Sequence, residues 1–439
     1  MSAPVPQAGH RQEGDEEHNQ TDEERILEEI GTTQKDLVDA MTGDTYDDAL
    51  TRAPHEKKLG RLEFQHRFLT EKKRLARELS KFEEIHGVPY SEPCLICLDD
   101  IYIHASDKIT RVLFCCGGFV CITCAQDIKE SGLGFYKCPL CRELLPKDGM
   151  VAEETAQKMK LAERGVSWAQ MCVGKGMIFG EEAYKKREKT GLKWLNKAAA
   201  QDYPCALYML CRLYRDGLAS TLVKSQGKSK ELLLQSANLG HALANADLAD
   251  CYFHGTEGFQ QDRVEAYFRA SVAFALDDTN GWSAKLLGYF HHSECNIPEP
   301  SIYLACYYTN IAANKEKARG EVCYHYGQTL VTLTSHLHDS TFLPGSDVTP
   351  AVFFWLRKSR DLGDKDAKEE LKKLEVQSQS KCDYCFKEAL PGVKFKQCSK
   401  CKAHWYCSKE CQVEAWRVGH KKDCKRARIV KFEDYLNAE

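Results

Sequence analysis

Two ladders of closely spaced cysteines constrain the fold of this chain more than any other feature. Fifteen of the 22 cysteines fall in two clusters, 94–141 and 382–424. A Cys-x-x-Cys turn presents two sulfurs to one metal, and zinc takes four thiolate or imidazole ligands in a tetrahedron. Eight ligands in each ladder therefore predict two closed structural sites per ladder and four zinc ions in all. The first ladder is Cys94, Cys97, Cys115, Cys116, Cys121, Cys124, Cys138 and Cys141, and the second is Cys382, Cys385, Cys398, Cys401, Cys407, Cys411, His420 and Cys424.

The sequence around the ladders indicates a reducing compartment. It has no run of about 18 apolar residues, and its N-terminus lacks the basic-then-apolar pattern of a signal peptide. We therefore expect no membrane span, thiols that bind metal rather than form disulfides, and a cytoplasmic or nuclear location. The formal net charge of -3 gives no overall basic field that would favour nucleic acid. The seven cysteines outside the ladders are expected to be small buried apolar side chains.

The N-terminal region changes sign along its length. Residues 1–50 hold 14 Asp and Glu against 3 Lys and Arg, whereas residues 51–90 hold 10 Lys and Arg against 6 acids. The acidic part predicts a disordered tail over 1–55, because it offers little apolar surface to offset ordering. Residues 56–90 predict one charged helix followed by a linker. We expect this helix to dock on the zinc module that follows, the alternative being a short coiled coil.

The middle of the chain carries an internal repeat. The segments 169–180, 206–217 and 244–255 each start with Ala and end with Gly, and weaker copies start at Ser283, Val322 and near Ala367. A second helical run ending in small residues precedes each strong copy. Two amphipathic helices per unit predict an all-α helical-hairpin solenoid over 155–375. The pattern resembles the Sel-like repeat, a relative of the tetratricopeptide repeat, and the rival interpretation is an irregular all-α domain.

The first ladder, over 91–146, resembles an all-cysteine RING finger, a small zinc-stabilised α+β fold. The resemblance implies interleaved sites. Cys94, Cys97, Cys121 and Cys124 hold one zinc, and Cys115, Cys116, Cys138 and Cys141 hold the other. Gly118 stands where most RING fingers have a histidine, and Gly117 and Gly118 are expected to ease the adjacent thiols through positive φ. In a second interpretation only one of Cys115 and Cys116 ligates, and His104 or Asp107 completes the site.

Three residues of the first ladder match the RING surface that docks a ubiquitin-conjugating enzyme. They are Ile96 in "CLIC", Pro139 in "CPLC", and Arg142 directly after the last ligand. The resemblance therefore implies a ubiquitin ligase that brings protein substrates to the conjugating enzyme and supplies no nucleophile of its own. A non-enzymatic adaptor, in which the finger only binds proteins, is the alternative.

The second ladder, over 380–424, resembles the MYND finger, and a C-terminal tail is expected over 425–439. The resemblance implies one zinc on Cys382, Cys385, Cys407 and Cys411, and another on Cys398, Cys401, His420 and Cys424. It also implies a groove for short proline-containing peptides, lined by Gln412 and Trp416. Alternatively Trp416 is a buried plug of a small core. His404 falls outside the ligand pattern and is expected at the surface.

A methyltransferase is the third class considered, because MYND fingers also accompany SET domains. The segments "HHSECNIP" (291–298) and "RGEVCYHYG" (319–327) resemble SET elements only faintly. His291 replaces the leading asparagine, Glu294 interrupts the first element, and both segments fall in the register of the repeats. We therefore expect a multidomain chain whose repeats and second finger bind protein partners or peptides.

Overall fold

The computed structural model describes residues 14–40, 46–102, 110–132, 137–144, 151–181, 183–292, 297–315, 317–336, 347–429 and 431–437. The chain divides into two compact units. Unit 1 combines residues 1–73 with residues 301–439, and unit 2 is the continuous segment 74–300.

Helices make up most of the described residues. They are α1 (Gly14–Asp39), α2 (Tyr46–His86), α3 (Ile122–Glu130), α4 (Val151–Glu163), α5 (Ser167–Phe179), α6 (Glu188–Ala199), α7 (Pro204–Asp216), α8 (Gln226–Asn238), α9 (Ala242–His254), α10 (Arg263–Leu276), α11 (Gly281–His292), α12 (Ile302–Ala313), α13 (Gly320–His336), α14 (Thr349–Asp361), α15 (Lys365–Ser378), α16 (Lys409–Ala415), α17 (Lys421–Arg426) and α18 (Phe432–Asn437). Three antiparallel strand pairs belong to the cysteine-rich segments. They are β1 (Glu92–Pro93) with β2 (Asp100–Ile101), β3 (Thr110–Val112) with β4 (Phe119–Cys121), and β5 (Lys396–Gln397) with β6 (Trp405–Tyr406).

The repeated segments form helical hairpins, as the sequence predicts. In unit 2 the pairs run from α4–α5 to α10–α11, and in unit 1 they are α12–α13 and α14–α15. Three glycines that close the strong copies, Gly180, Gly217 and Gly255, follow α5, α7 and α9 in the left-handed conformation. Each stops its helix because its backbone adopts positive φ without steric cost. The middle of the chain is therefore a helical solenoid built from consecutive hairpins.

The N-terminal half of α2 lies in the core of unit 1. Phe64 and Phe68 stack with ring centroids 5.6 Å apart, and Phe68 meets Tyr307 of α12 at 5.1 Å. The buried Glu71 accepts a 2.6 Å hydrogen bond from the hydroxyl of Tyr308. This half of the helix is therefore packed against repeat helices.

The C-terminal half of α2 lies in the core of unit 2. Phe82 is fully buried and packs with Phe268 and Val272 of α10. Tyr102, which lies in the segment of the first ladder, is partly buried and also packs against this cluster. The expectation that the helix docks on the zinc module is therefore wrong in the main, because its aromatic stripe finds its apolar partners on the repeats.

The disordered tail expected over 1–55 is not confirmed, although residues 1–13 and 41–45 lie outside the described part. Residues 14–39 form α1, in which Ile26 and Thr33 are buried. Glu23 pairs with Lys73 of α2 at 2.6 Å, and this hydrogen-bonded ammonium lowers the pKa of the carboxyl. The net charge of the segment did not predict this helix, because the lysine that pairs with Glu23 lies in a distant part of the sequence.

The segment 425–439, expected as a tail, also differs. The described part completes α17 and forms α18, where Phe432 is fully buried and Tyr435 nearly so. The ring of Phe432 meets that of Phe64 edge-on with centroids 5.5 Å apart. Its apolar residues therefore extend the core of unit 1.

Within the described residues, no helix has both the length and the apolar composition needed to cross a lipid bilayer.

Candidate metal centres

The first finger, residues 91–146, contains two groups of four cysteine sulfurs. The sulfurs of Cys94, Cys97, Cys121 and Cys124 all lie within 4.8 Å of one another. The turn after β1 carries the first pair, and the end of β4 with the start of α3 carries the second. The structure thus brings together the four residues predicted for the first site.

The second group consists of Cys115, Cys116, Cys138 and Cys141, again with all sulfurs within 4.8 Å. Both adjacent cysteines point into this group, which is the arrangement that the RING resemblance implies. His104 and Asp107, the alternative ligands, lie outside the described residues. The two groups interleave along the chain, because each takes one pair from each half of the ladder.

Only one of the two glycines after Cys116 has the expected conformation. Gly117 has a φ of 86°, whereas Gly118 is not among the residues with positive φ. A Cβ at Gly118 would lie 2.5 Å from Cδ1 of Leu95, so steric room explains this glycine. The expected positive φ at Gly118 is therefore wrong.

The first finger packs on the first hairpin of unit 2. The indole Nε1–H of Trp168 on α5 donates a 2.9 Å hydrogen bond to the carbonyl of Gly117. The same ring lies 6.0 Å from Phe114 and 6.2 Å from Phe119. The turn between the ligand pairs is therefore held by a repeat helix.

Backbone amides favour the charged form of two ligands. Burial opposes this, but hydrogen bonds from backbone N–H groups, including that of Cys121, lower the pKa of Cys94 to about 6. Burial is likewise outweighed at Cys138, where the amides of Cys141 and Leu140 help lower the pKa to about 7. The thiolate is the metal-binding form of cysteine, so both shifts favour metal binding.

The three residues predicted to dock a conjugating enzyme each lie beside a ligand cysteine. Ile96 is 41% exposed, Pro139 is half-buried, and Arg142 is exposed with a φ of 63°. Sequence reasoning missed Leu98 and Leu140, which are 75% and 62% exposed. The sequence could have indicated both, because each is directly adjacent to a ligand cysteine, Leu98 to Cys97 and Leu140 to Cys141.

The second finger, residues 380–424, also contains two groups. Cys382, Cys385, Cys407 and Cys411 form one, and Cys398, Cys401, His420 and Cys424 form the other. The Nε2 atom of His420 lies 3.4 Å from the sulfur of Cys398 and 3.6 Å from that of Cys401. A short π-helical turn, Trp416–His420, brings the histidine to this group. Hydrogen bonding from the Cys401 thiol, against burial and with help from His420, lowers the pKa of Cys398 to about 3.

The chemistry and spacing of all four groups fit zinc. A tetrahedron with Zn–S bonds of about 2.3 Å has edges of about 3.8 Å. The sulfur pairs Cys97–Cys121, Cys116–Cys138 and Cys385–Cys407 are separated by 3.8, 3.7 and 3.5 Å. Four protein ligands leave no open coordination position, which is typical of structural zinc.

Gln412 and Trp416 lie near the ligands of the second finger and are both half-buried. The Trp416 ring lies 5.8 Å from that of His420, and the Lys400 ammonium lies 5.0 Å from its centre. One part of the indole thus covers a metal ligand while another part is accessible. Both interpretations of Trp416, groove wall and core plug, remain compatible with this position.

The expectation that His404 lies at the surface is wrong. Its side chain is 8% exposed, and its Nε2 and Nδ1 lie 2.8 Å from Asp347 and 3.4 Å from Asp383. Burial alone would lower the pKa of His404, but the carboxylates of Asp347 and Asp383 raise it to about 10. The buried imidazolium joins the second finger to the segment before α14. Local sequence around His404 does not indicate this burial, because Asp347 is distant along the chain.

The six described cysteines outside the ladders fall into two classes. Cys211, Cys251, Cys306 and Cys323 are buried, which confirms the prediction for them. Cys172 and Cys205 are partly exposed, and Cys295 lies outside the described residues.

Comparison with known proteins identifies the second finger. Residues 382–424 match the model of the MYND finger family. A SET and MYND domain-containing protein from Dictyostelium discoideum is 47% identical over 47 residues, which is 10% of this chain and 8% of that protein. This chain therefore contains a MYND finger, a zinc-binding module.

Further similarities are to a curated protein and to two solved structures. The chitin synthase regulator SKT5 of Saccharomyces cerevisiae is 33% identical over 88 residues, 19% of this chain and 13% of that protein. The chain thus spans a small fraction of the curated relatives it matches. Two solved structures are similar at 20% identity over 52% of this chain, and the matches cover 46% and 61% of those chains. They are a protective antigen of uropathogenic Escherichia coli with an SLR fold (TM-score 0.41) and a Sel1 repeat protein from Oxalobacter formigenes (TM-score 0.40).

The SET-like segments contribute described residues to two repeat helices, α11 and α13. Residues 320–327 of the second segment lie in α13. Residues 293–296 of the first segment lie outside the described residues, and the residues before them end α11. The chain is thus a repeat protein with a zinc finger, and such modules generally bind proteins.

Proposed function

We propose that this chain is a RING-type ubiquitin-protein ligase of the cytosol or nucleus. The first finger receives a ubiquitin-charged conjugating enzyme, and the helical hairpins with the MYND finger bind the protein to be modified. The interleaving of two four-cysteine groups over 94–141 is the observation that carries this proposal. Such interleaving is the ligand arrangement of the RING resemblance, and it holds all four ligand pairs in one small fold.

The proposed reaction needs no nucleophile from this chain. A lysine amine of the substrate attacks the thioester carbonyl between ubiquitin and the conjugating enzyme. The C–N bond forms, the C–S bond breaks, and the enzyme's cysteine leaves as a thiolate. The first finger contributes by binding and orienting the charged enzyme, so its zinc ions are structural.

The exposed side chains beside the ligands support this binding role. Ile96, Leu98 and Leu140 present apolar surface although they belong to a small folded module. Exposed apolar groups of this kind are common at protein interfaces. Arg142 carries up to five donors in a planar fork, which suits it to carbonyl groups of two proteins at once.

The test is ubiquitin discharge from a panel of charged conjugating enzymes to free lysine. Wild-type protein is expected to accelerate discharge with at least one enzyme, and Ile96→Ala is expected to lower the rate about tenfold or more through lost docking. Arg142→Ala should lower the rate at saturating conjugating enzyme, because its proposed contact orients ubiquitin. Val223→Ala, at a residue 85% exposed in the repeat region, is the matched control and should keep the wild-type rate.

The zinc content of each variant separates a docking defect from an unfolded finger. Four zinc ions per chain are expected for wild type and for all three variants. Wild-type protein that holds its zinc but accelerates no discharge with any enzyme would refute the ligase proposal.

A protein adaptor is the second candidate, and the MYND match over 382–424 favours it. It predicts partner binding by the repeats and MYND finger without ubiquitin transfer. For the MYND finger we propose a short proline-containing peptide as ligand, contacted by Gln412 and Trp416. Trp416→Ala with retained zinc should abolish binding from a proline-rich peptide library, whereas Trp282→Ala, at a residue 44% exposed on α11, should not.

A further inference from the structure

A cysteine–histidine pair lies in unit 2, outside both fingers. Cys205 is the second residue of α7, and its sulfur lies 3.3 Å from Nε2 of His241. His241 precedes α9 and is 2% exposed, whereas Cys205 is partly exposed. The pair therefore combines a buried imidazole with a partly exposed cysteine.

The backbone fixes which nitrogen of His241 carries the proton. The amide of Ala244 donates a 3.1 Å hydrogen bond to Nδ1, which caps the N-terminus of α9. Nδ1 must therefore be unprotonated, and the neutral ring carries its proton on Nε2. That N–H faces the Cys205 sulfur and stabilises its thiolate.

Two further features act in the same direction. Cys205 lies in the first turn of a 13-residue helix, where the helix dipole favours negative charge. The ring of Tyr208 lies 5.0 Å from the ring of His241 and helps hold it in place. Two other cysteines on the repeat helices, Cys211 and Cys251, are buried, and burial raises the pKa of Cys211 and raises that of Cys251 to about 12.

We propose that Cys205 is a modification site for small soft electrophiles, with hydroperoxides as the oxidant class. Its thiolate attacks one peroxide oxygen, so that an S–O bond forms and the O–O bond breaks. Sulfur loses two electrons and becomes a sulfenic acid. The peroxide is reduced: hydroxide leaves from hydrogen peroxide, or alkoxide from an organic hydroperoxide, and takes a proton to form water or an alcohol. The proposal is independent of ligase activity.

The first test is competitive alkylation of the full-length, zinc-loaded protein with limiting iodoacetamide at pH 7. Mass spectrometry of peptides gives one rate per cysteine. Cys172 is the internal control because it is also a partly exposed cysteine outside the ladders, whereas Cys211 controls for burial on the same helix. Cys205 should react about tenfold faster than Cys172, allowing for the lower intrinsic reactivity of a stabilised thiolate. Equal rates for Cys205 and Cys172 would overturn the proposal.

His241→Asn tests the source of the reactivity. The amide oxygen of asparagine can still accept from the Ala244 N–H, so the cap is kept while the Nε2 donor is removed. The Cys205 rate should fall towards that of Cys172 while the helical content stays constant. An unchanged Cys205 rate in the folded variant would contradict the role of His241.

Wild-type protein supplies a test that does not depend on the variant folding. Between pH 7 and 8 the alkylation rate of Cys205 should rise less steeply than that of Cys172, because the Nε2–H of His241 favours the Cys205 thiolate. A Cys205 rate that rises as steeply would refute the proposal. After hydrogen peroxide, a sulfenic acid probe should label Cys205, and fast alkylation without this label would exclude the oxidation step.

Discussion

The two fingers are attached to neighbouring repeat helices in opposite ways. In unit 2, the repeats supply Trp168, which donates to a backbone carbonyl in the turn of the first finger. In unit 1, the second finger supplies Trp405, whose ring packs 5.7 Å from that of Phe353 on α14. Polar contacts add to this attachment, because Arg357 on α14 donates to the Cys401 carbonyl at 2.8 Å and the buried His404 of the finger pairs with Asp347.

This difference shows that one ligand chemistry can be attached to repeat helices in two ways. Both fingers keep apolar side chains at the surface, such as Leu98 and Leu140 in the first and Phe386 and Leu390 in the second. In the second finger, the group of Cys398, Cys401, His420 and Cys424 is mostly buried and shares the core of unit 1. The second finger thus has one group without an exposed ligand, whereas each group of the first finger includes an exposed cysteine.

The largest expected effect is that of zinc removal. A structural zinc contributes on the order of 10–16 kcal/mol of folding free energy in small fingers. We expect a strong chelator to unfold both fingers, with the buried group of the second finger losing its metal last. Cysteine alkylation during chelation measures the order. If Cys398 were labelled before Cys97, the second finger would lose its zinc first, contrary to this expectation.

Asp347→Asn is expected to lower the free energy of unfolding by about 3–5 kcal/mol, because it leaves a buried imidazolium with one carboxylate fewer. Denaturation, monitored by hydrogen exchange of the α14 amides, measures this change in the free energy of unfolding. Asp361→Asn, at an aspartate whose side chain is 65% exposed, is the control and should change stability by less than about 0.5 kcal/mol. A similar small effect at Asp347 would show that the buried pair does not hold the second finger.

Trp168→Phe probes the first attachment and should cost about 1–3 kcal/mol, because the Gly117 carbonyl loses its donor while most of the ring packing is kept. Hydrogen exchange of α3 and α5 reports the loss locally. Trp282→Phe, on the same unit, serves as control. An equal effect of both variants would argue against a specific role for the indole hydrogen bond.

The smallest effect is expected for Gly118→Ala, at about 1 kcal/mol, because movement of the Leu95 side chain partly relieves the overpacking. Gly227→Ala on α8 has no neighbour within 4 Å and should be neutral or stabilising. Thermal unfolding of the zinc-loaded proteins compares the two. A neutral Gly118→Ala would mean that the turn has more room than its contacts indicate.

The sequence predicted the features that depend on local spacing. Ligand grouping and helix-ending glycines repeat at short intervals, so pattern reasoning found Cys116 with Cys138 and the caps at Gly180 and Gly217. It missed features that depend on distant partners. The burial of His404 depends on its ion pair with Asp347, and α1 is held by the ion pair between Glu23 and Lys73. The aromatic face of α2 packs against helices of the repeats. No local pattern encodes these choices.

The contact between Phe64 and Phe432 has a consequence for biosynthesis. The two rings belong to one core but are separated by most of the coding sequence. At roughly 5–20 residues per second, synthesis of Phe432 follows that of Phe64 by tens of seconds. During that interval the early aromatic face lacks one of its final partners and is open to chaperones. A premature stop codon before residue 432 would make that exposure permanent, marking the shortened product for proteolysis.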